Sequence, residues 1–253
     1  MAYRYFIKLA YNGTKYHGWQ IQTNAITIQE LITNALAKIL KVDVELVGAG
    51  RTDTGVHAKM FYAHFDYELL LTKEQKHKLI FKLNLFLPTD IVIYDILQVK
   101  NDAHARFNAL SRTYHYVITT RKDPFNLDLS YYFYAPLDIN LMNKAAEILF
   151  DFNDFTSFSK SRTQTKTNNC KIMQAHWHSV EDKIVFTIKS NRFLRNMVRA
   201  IVGTLLDVGK RKITLLHFKQ IIEAKSRSNA GYSVPASGLF LNSIEYPADI
   251  FID

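Results

Sequence analysis

Apolar residues alternate at the start of the chain. Tyr5, Ile7, Leu9 and Tyr11 share one face of residues 3–11, the period of a half-buried strand. Thr27-Ile28-Gln29-Glu30 then reads as a capping box. Behind it Ile28, Leu31, Ile32, Ala35, Leu36, Ile39 and Leu40 recur at spacings of three and four, which predicts an amphipathic helix. A short strand is expected at 43–47, a polar glycine-containing loop at 48–58, and a strand at 59–66 with Phe61, Ala63 and Phe65 on one face. Thr72-Lys73-Glu74-Gln75 caps a second helix that ends before Pro88, and Ile91 to Leu97 reads as a strand.

The predicted order is β-α-β-β-α-β, the ferredoxin-like split unit. The second half repeats it without a visible sequence repeat. A strand is expected near 111–120, a helix near 140–150, and paired strands at 171–180 and 183–190 with Ile184, Phe186 and Ile188 facing one way. Leu194, Met197, Val198, Ile201, Val202, Leu205 and Leu206 make one helical stripe; a helix near 214–224 and a strand near 239–246 follow. The pattern predicts an α+β chain of two ferredoxin-like (RRM-like) halves, residues 1–105 and 106–253. Together they would form a continuous antiparallel sheet with helices on one face. The other face would be left for something long and anionic, as RRM modules leave theirs for RNA.

Composition sharpens that expectation. The chain has 253 residues, 48% hydrophobic and 22% charged, an ordinary globular balance. Lys and Arg number 32 against 23 Asp and Glu, a net charge of +9, which points to a polyanionic partner. The single cysteine, Cys170, excludes an internal disulfide and a Cys-rich zinc site, and suits a reducing cytoplasm. The first residues carry no apolar signal core and no stretch approaches membrane-spanning length, so a cytoplasmic protein that keeps its N-terminus is expected. His176 and His178 share a strand face but show no third ligand, so no metal site is assigned. The basic tract 160–169 reads as a surface loop or an arm for RNA phosphates.

The most informative segment is Gly48-Ala49-Gly50-Arg51-Thr52-Asp53-Thr54-Gly55-Val56-His57-Ala58. It is neither a P-loop, since no Gly-Lys-Ser/Thr follows, nor a dinucleotide fingerprint, since no helix opens behind it. Taken alone it could be a polar hairpin loop with glycines for tight turns.

Gly50-Arg51-Thr52-Asp53-x-Gly55-Val56-His57-Ala58 resembles the signature of the TruA family of tRNA pseudouridine synthases. Further blocks resemble that family in order: residues 11–20 (Tyr-Asn-Gly-Thr-Lys-Tyr-His-Gly-Trp-Gln), His104-Ala105-Arg106-Phe107 with Arg112-Thr113-Tyr114-His115-Tyr116, Asp154 to Phe158, Phe193 to Arg199 with Ile201-Val202-Gly203, and Gly238 to Leu241. Thr54 and Arg192 depart from it. The resemblance implies an isomerase that cuts the N1–C1′ bond of a uridine, turns the base and rejoins it through C5. That reaction is redox-neutral, so no cofactor is implied, and no small-molecule partner. The resemblance makes Asp53 the catalytic carboxylate and Arg199 its cationic partner. It makes Tyr114 a ring stacked on the flipped uracil, Arg51 the residue that holds the base out, and Leu239 an apolar wall. It implies tRNA as partner, uridines 38 to 40 of the anticodon stem-loop as targets, and a homodimer. Two other readings remain at this level: a non-catalytic RNA-binding protein on the same scaffold, and a pseudouridine synthase acting on another RNA. A carboxylate in a basic cleft counts against the first, because it repels the backbone it would hold.

Overall fold

A computed structural model describes residues 2–160 and 166–252. Within the basic tract 160–169, residues 161–165 lie outside the described residues. The chain divides into two compact units. The first is Met1–Leu110 with Leu241–Asp253, and the second is Ser111–Phe240. It is a mixed α/β chain whose strand pairing is mostly antiparallel.

The first unit runs β1 (Tyr3–Tyr11), α1 (Ile28–Leu40), β2 (Val47–Gly48), β3 (His57–Tyr67), α2 (Lys73–Phe86) and β4 (Ile91–Val99). Its strands lie in the order β4-β1-β3-β2, all antiparallel, the arrangement that two crossing helices impose on a split β-α-β-β-α-β unit. Tyr5, Ile7 and Leu9 are fully buried, as their alternation predicts. So is Phe6 on the opposite face, because the C-terminal segment lies across it. The rings of Tyr246 and Phe251 stand edge-on at 5.3 and 6.2 Å, and Lys100 N–H donates to the Ile250 carbonyl at 2.9 Å. The strand expected to be half-buried is therefore covered on both sides at its centre.

Two local expectations fail for identifiable reasons. Thr27 makes no side-chain cap; its Oγ1 is buried without a hydrogen-bond partner. The first-turn donors of α1 are met by backbone instead: Ile28 N–H donates to the Gly18 carbonyl (3.2 Å) and Gln29 N–H to that of Trp19 (3.0 Å). Thr72 and Gln75, by contrast, form the full capping box of α2. The strand expected at 43–47 pairs only at Val47–Gly48, since the Leu46 carbonyl accepts from Gln29 Nε2 at 2.7 Å.

The second unit runs β5 (Ser111–Thr119), β6 (Tyr131–Tyr132), α3 (Ile139–Ile148), β7 (Ile172–Val180), β8 (Lys183–Ser190), α4 (Met197–Gly209) and α5 (Leu215–Glu223). Strand β9 (Leu239–Glu245) opens within it and closes within the first unit. Strand β8 pairs antiparallel with both β5 and β7, and the short β6 runs parallel to β5. Phe186 and Ile188 of β8 are fully buried. Helix α4 begins three residues after Leu194, because Asn196 takes a left-handed conformation (φ 68°) that a right-handed helix cannot include. Leu194 is nevertheless buried. No helix among the described residues is long and apolar enough to cross a membrane.

Candidate active site

In the first unit the chemistry-bearing loop between β2 and β3 is held by the segment that follows β1. Tyr11 Oη and Thr52 Oγ1 share a hydrogen bond of 2.8 Å. Trp19 N–H donates to the Thr52 carbonyl (3.3 Å), and Gly55 N–H to that of Tyr16 (3.3 Å). Gly13 N–H donates to Nδ1 of His57 (3.1 Å). His57 is 1% exposed, so its task is to anchor the loop, not to meet a ligand. The loop closes on itself through Val56 N–H to the Asp53 carbonyl (3.1 Å). Thr52 and Val56 are buried on either side, and Asp53 between them stays half-exposed while Arg51 is exposed. A carboxylate is thus presented on a backbone pinned before and after it, the condition for precise placement on a loop. Gly18 makes this possible. It sits at φ 87°, and a Cβ there would run into the Thr52 carbonyl oxygen and stand 3.2 Å from the carbonyl carbon of Asp53.

In the second unit Arg199 lies in the first turn of α4 and is half-buried. Its Nε donates to the Val234 carbonyl (2.7 Å), and Val234 N–H returns a bond to the Arg199 carbonyl (3.2 Å). The segment 227–238 is tied down along its length. Arg227 donates to the carbonyls of Ala230 and Gly231 and to Ser233 Oγ, and Asn196 Nδ2 also donates to Ser233 Oγ at 2.6 Å. Next along, the Pro235 carbonyl accepts from Tyr116 Oη at 2.9 Å. Tyr116 is fully buried, and burial raises its hydroxyl well above the usual tyrosine range. Tyr114 is half-buried and meets the Phe193 ring edge-on at 5.1 Å. The two tyrosines, indistinguishable by alternation, therefore differ in kind: Tyr116 is a core residue and Tyr114 keeps an exposed part. Leu239 follows the same segment as the first residue of β9 and is 6% exposed. The chain 234–239 thus brings Arg199, the β5 tyrosine strand and Leu239 into one neighbourhood, while Arg51 and Asp53 share the loop of the first unit.

Among the described residues no group of three or more His, Cys, Asp or Glu side chains is placed to hold a metal ion. The His176 and His178 rings stack at 5.3 Å. Cys170 is buried, and burial raises its thiol to about 11, so it is a packed, unreactive side chain.

Residues 145–247 match a family model described as tRNA pseudouridine synthase. The chain is 55% identical over 249 residues to a protein of Bacteroides fragilis named tRNA pseudouridine synthase A, covering 98% of both chains. It is 54% identical to the protein of the same name in Bacteroides thetaiotaomicron (98% of this chain, 92% of that one). It is 39% identical to that of Clostridium acetobutylicum (95% and 98%). The chain belongs to the tRNA pseudouridine synthase A family. Members of this family are isomerases that convert uridine to pseudouridine, and the chain is an enzyme of that class. The matched length takes in both the Asp53 loop and the Arg199 helix.

Sequence reasoning found the loop but missed its clamp. Residues 11–20 carry no hydrophobic period, and their meaning lies in backbone hydrogen bonds. The signal available was the pair Gly13 and Gly18 in a block otherwise rich in rings.

Proposed function

We infer that the chain converts uridine to pseudouridine in the anticodon stem-loop of tRNA, at positions 38 to 40, with Asp53 as its catalytic carboxylate. The observation that carries this reading is Asp53 itself. It is a half-exposed carboxylate on a loop anchored through Thr52, Gly55 and His57, in a chain of net charge +9 that belongs to a family of tRNA pseudouridine synthases. A carboxylate is what the reaction asks for. The N1–C1′ bond breaks, the uracil turns, a C5–C1′ bond forms, and the C5 proton leaves while N1 gains one. The developing positive charge on the ribose, or the base itself, needs an anionic partner throughout.

The target uridine is flipped from its stack, at a cost of a few kcal/mol that the pocket must return. Tyr114, with its exposed part, stacks on the flipped uracil. Arg51 fills the space the base leaves, and Leu239 gives the pocket an apolar wall. Arg199, its backbone and Nε fixed on Val234, is the cation that the family likeness assigns to this chemistry. The protein works in the cytoplasm as a homodimer, one tRNA touching both subunits; sedimentation of the free chain at the size of a dimer is the expected result. Target choice is tested by mapping pseudouridines in unmodified tRNA after incubation with the enzyme. New pseudouridine at 38, 39 or 40 is expected. Pseudouridine confined to other positions would contradict the assignment.

A further inference from the structure

Beside the Asp53 loop the first unit carries a groove of about 660 Å³, and of its lining only Arg51 has a part in the proposed reaction. Arg51, Trp19 and Val47 line it, and so do His104, Arg106 and Phe107, while Asp53 does not. Phe107 is the anomaly: a large apolar ring that is 74% exposed.

Exposure usually goes with a loosely held chain, but this segment is fixed from several directions. Ala105 N–H donates to Nδ1 of the buried His64 (3.2 Å), and Tyr246 Oη donates to the Ala105 carbonyl (2.6 Å). Arg4 Nη1 donates to the Ala103 carbonyl (3.0 Å). Asn108 Oδ1 accepts from His104 N–H (2.6 Å), and Asn108 N–H donates to the His104 carbonyl (3.0 Å). The His104 ring bears on Phe107 at 4.3 Å and on His64 at 4.6 Å. The Arg106 guanidinium stands over the Phe107 ring at 5.6 Å. An exposed aromatic ring on a rigid support, with a cation over it, has the form of a stacking platform for a nucleobase.

The charges of the groove fit the same ligand. Arg106 offers a planar guanidinium group suited to phosphate. Asp43 and Glu45, also on the lining, repel phosphate and accept hydrogen bonds from base N–H groups. A bare polyanion would find half of this lining hostile; a nucleotide has a complementary part for each half.

We propose that this groove holds a second nucleotide of the RNA substrate, unstacked from its neighbours, with its base on Phe107 and its phosphate on Arg106. The proposal rests on the chain's reading as an RNA-modifying enzyme and adds a recognition site separate from the reacting base.

The test compares wild type with Phe107→Ala, Phe107→Leu and Phe107→Trp. The probes are an intact stem-loop RNA and a set of the same RNA made abasic at one position each. Both turnover and binding affinity are read. Phe107→Ala and Phe107→Leu should raise KM and Kd about 10-fold with kcat unchanged, and Phe107→Trp should restore both. On one abasic RNA the penalty should vanish, which locates the stacked nucleotide. Unchanged KM and Kd in Phe107→Ala, or an equal penalty on every abasic RNA, would overturn the proposal. Absence of turnover by wild type would sink the assigned activity but not the groove, which the binding scan judges by itself.

Discussion

Gly18→Ala isolates the clamp that positions Asp53. The substitution adds one methyl group, on a residue that touches no substrate in the reading above. It forces a side chain onto a backbone at φ 87°, which costs roughly 1–2 kcal/mol. The new Cβ would also collide with the Thr52 carbonyl oxygen, a backbone atom that cannot swing aside as a side chain could. Relief requires the 52–53 peptide to retreat, at the expense of the 3.3 Å bond from Trp19 N–H to that carbonyl, itself worth about 1 kcal/mol. A total loss of about 2–3 kcal/mol in stability is expected, read by urea denaturation. The larger effect falls on the chemistry. A carbonyl one bond from Asp53 displaced by on the order of 0.5–1 Å should lower kcat about 10- to 100-fold. Pseudouridine formation under saturating tRNA measures it. Gly50→Ala, in the same loop, is the control: its Cβ meets nothing within 4 Å, so stability should stay within about 0.5 kcal/mol. If Gly18→Ala kept wild-type kcat while losing the expected stability, the loop would not depend on this contact and the reasoning would fail.

Other expectations follow from single contacts. Burial and the neighbouring Arg4 and His104 lower His64 to about 4, so the fold holds it neutral while the unfolded chain takes up a proton below about 6.5. Stability is therefore full above pH 6.5 and falls by about 2–3 kcal/mol as the pH drops toward 4. His64→Asn, which keeps an acceptor for Ala105 N–H, should flatten that limb in pH-dependent denaturation; an unchanged limb would refute the assignment. Gly203→Ala should destabilise by about 1–3 kcal/mol despite the better helix former, because its Cβ would meet the Tyr232 carbonyl and push the 230–235 segment off α4; a raised Tm would refute this. Binding to tRNA should weaken steeply with salt, log K falling by about 0.7–0.9 per tenfold salt for each phosphate neutralised, and a flat response would remove the electrostatic argument drawn from the net charge of +9.

The sequence was legible where one periodicity decides the structure. Helices α1 and α2 and strands β1, β3 and β4 stand where the pattern of apolar positions puts them. It was opaque where a distant backbone group wins over a local one. Thr27 and Thr72 look alike in sequence, yet only Thr72 caps, because the carbonyls of Gly18 and Trp19 satisfy the first turn of α1. Strand 43–47 shrinks to two residues because Gln29, on a different element, takes the Leu46 carbonyl. Phe6 is buried by the last residues of the chain, which no window around it contains. Of the candidate site, Asp53 and Arg51 were legible from a block of residues with a family likeness. The distinction between Tyr114 and Tyr116 was not, since it depends on burial and on Pro235, far along the chain, accepting from the Tyr116 hydroxyl. Phe107 was visible as part of a block but had no task until its exposure and its support were seen together.

The most direct test of Asp53 is tritium release from tRNA labelled at uridine C5, comparing wild type, Asp53→Ala and Asp53→Asn with their folding and tRNA affinity checked alongside. Wild type should release tritium, and both variants should fold, bind tRNA and release none above background. Substantial release by either variant would contradict the role of Asp53. Absence of release by a folded, tRNA-binding wild type would contradict pseudouridylation of tRNA itself.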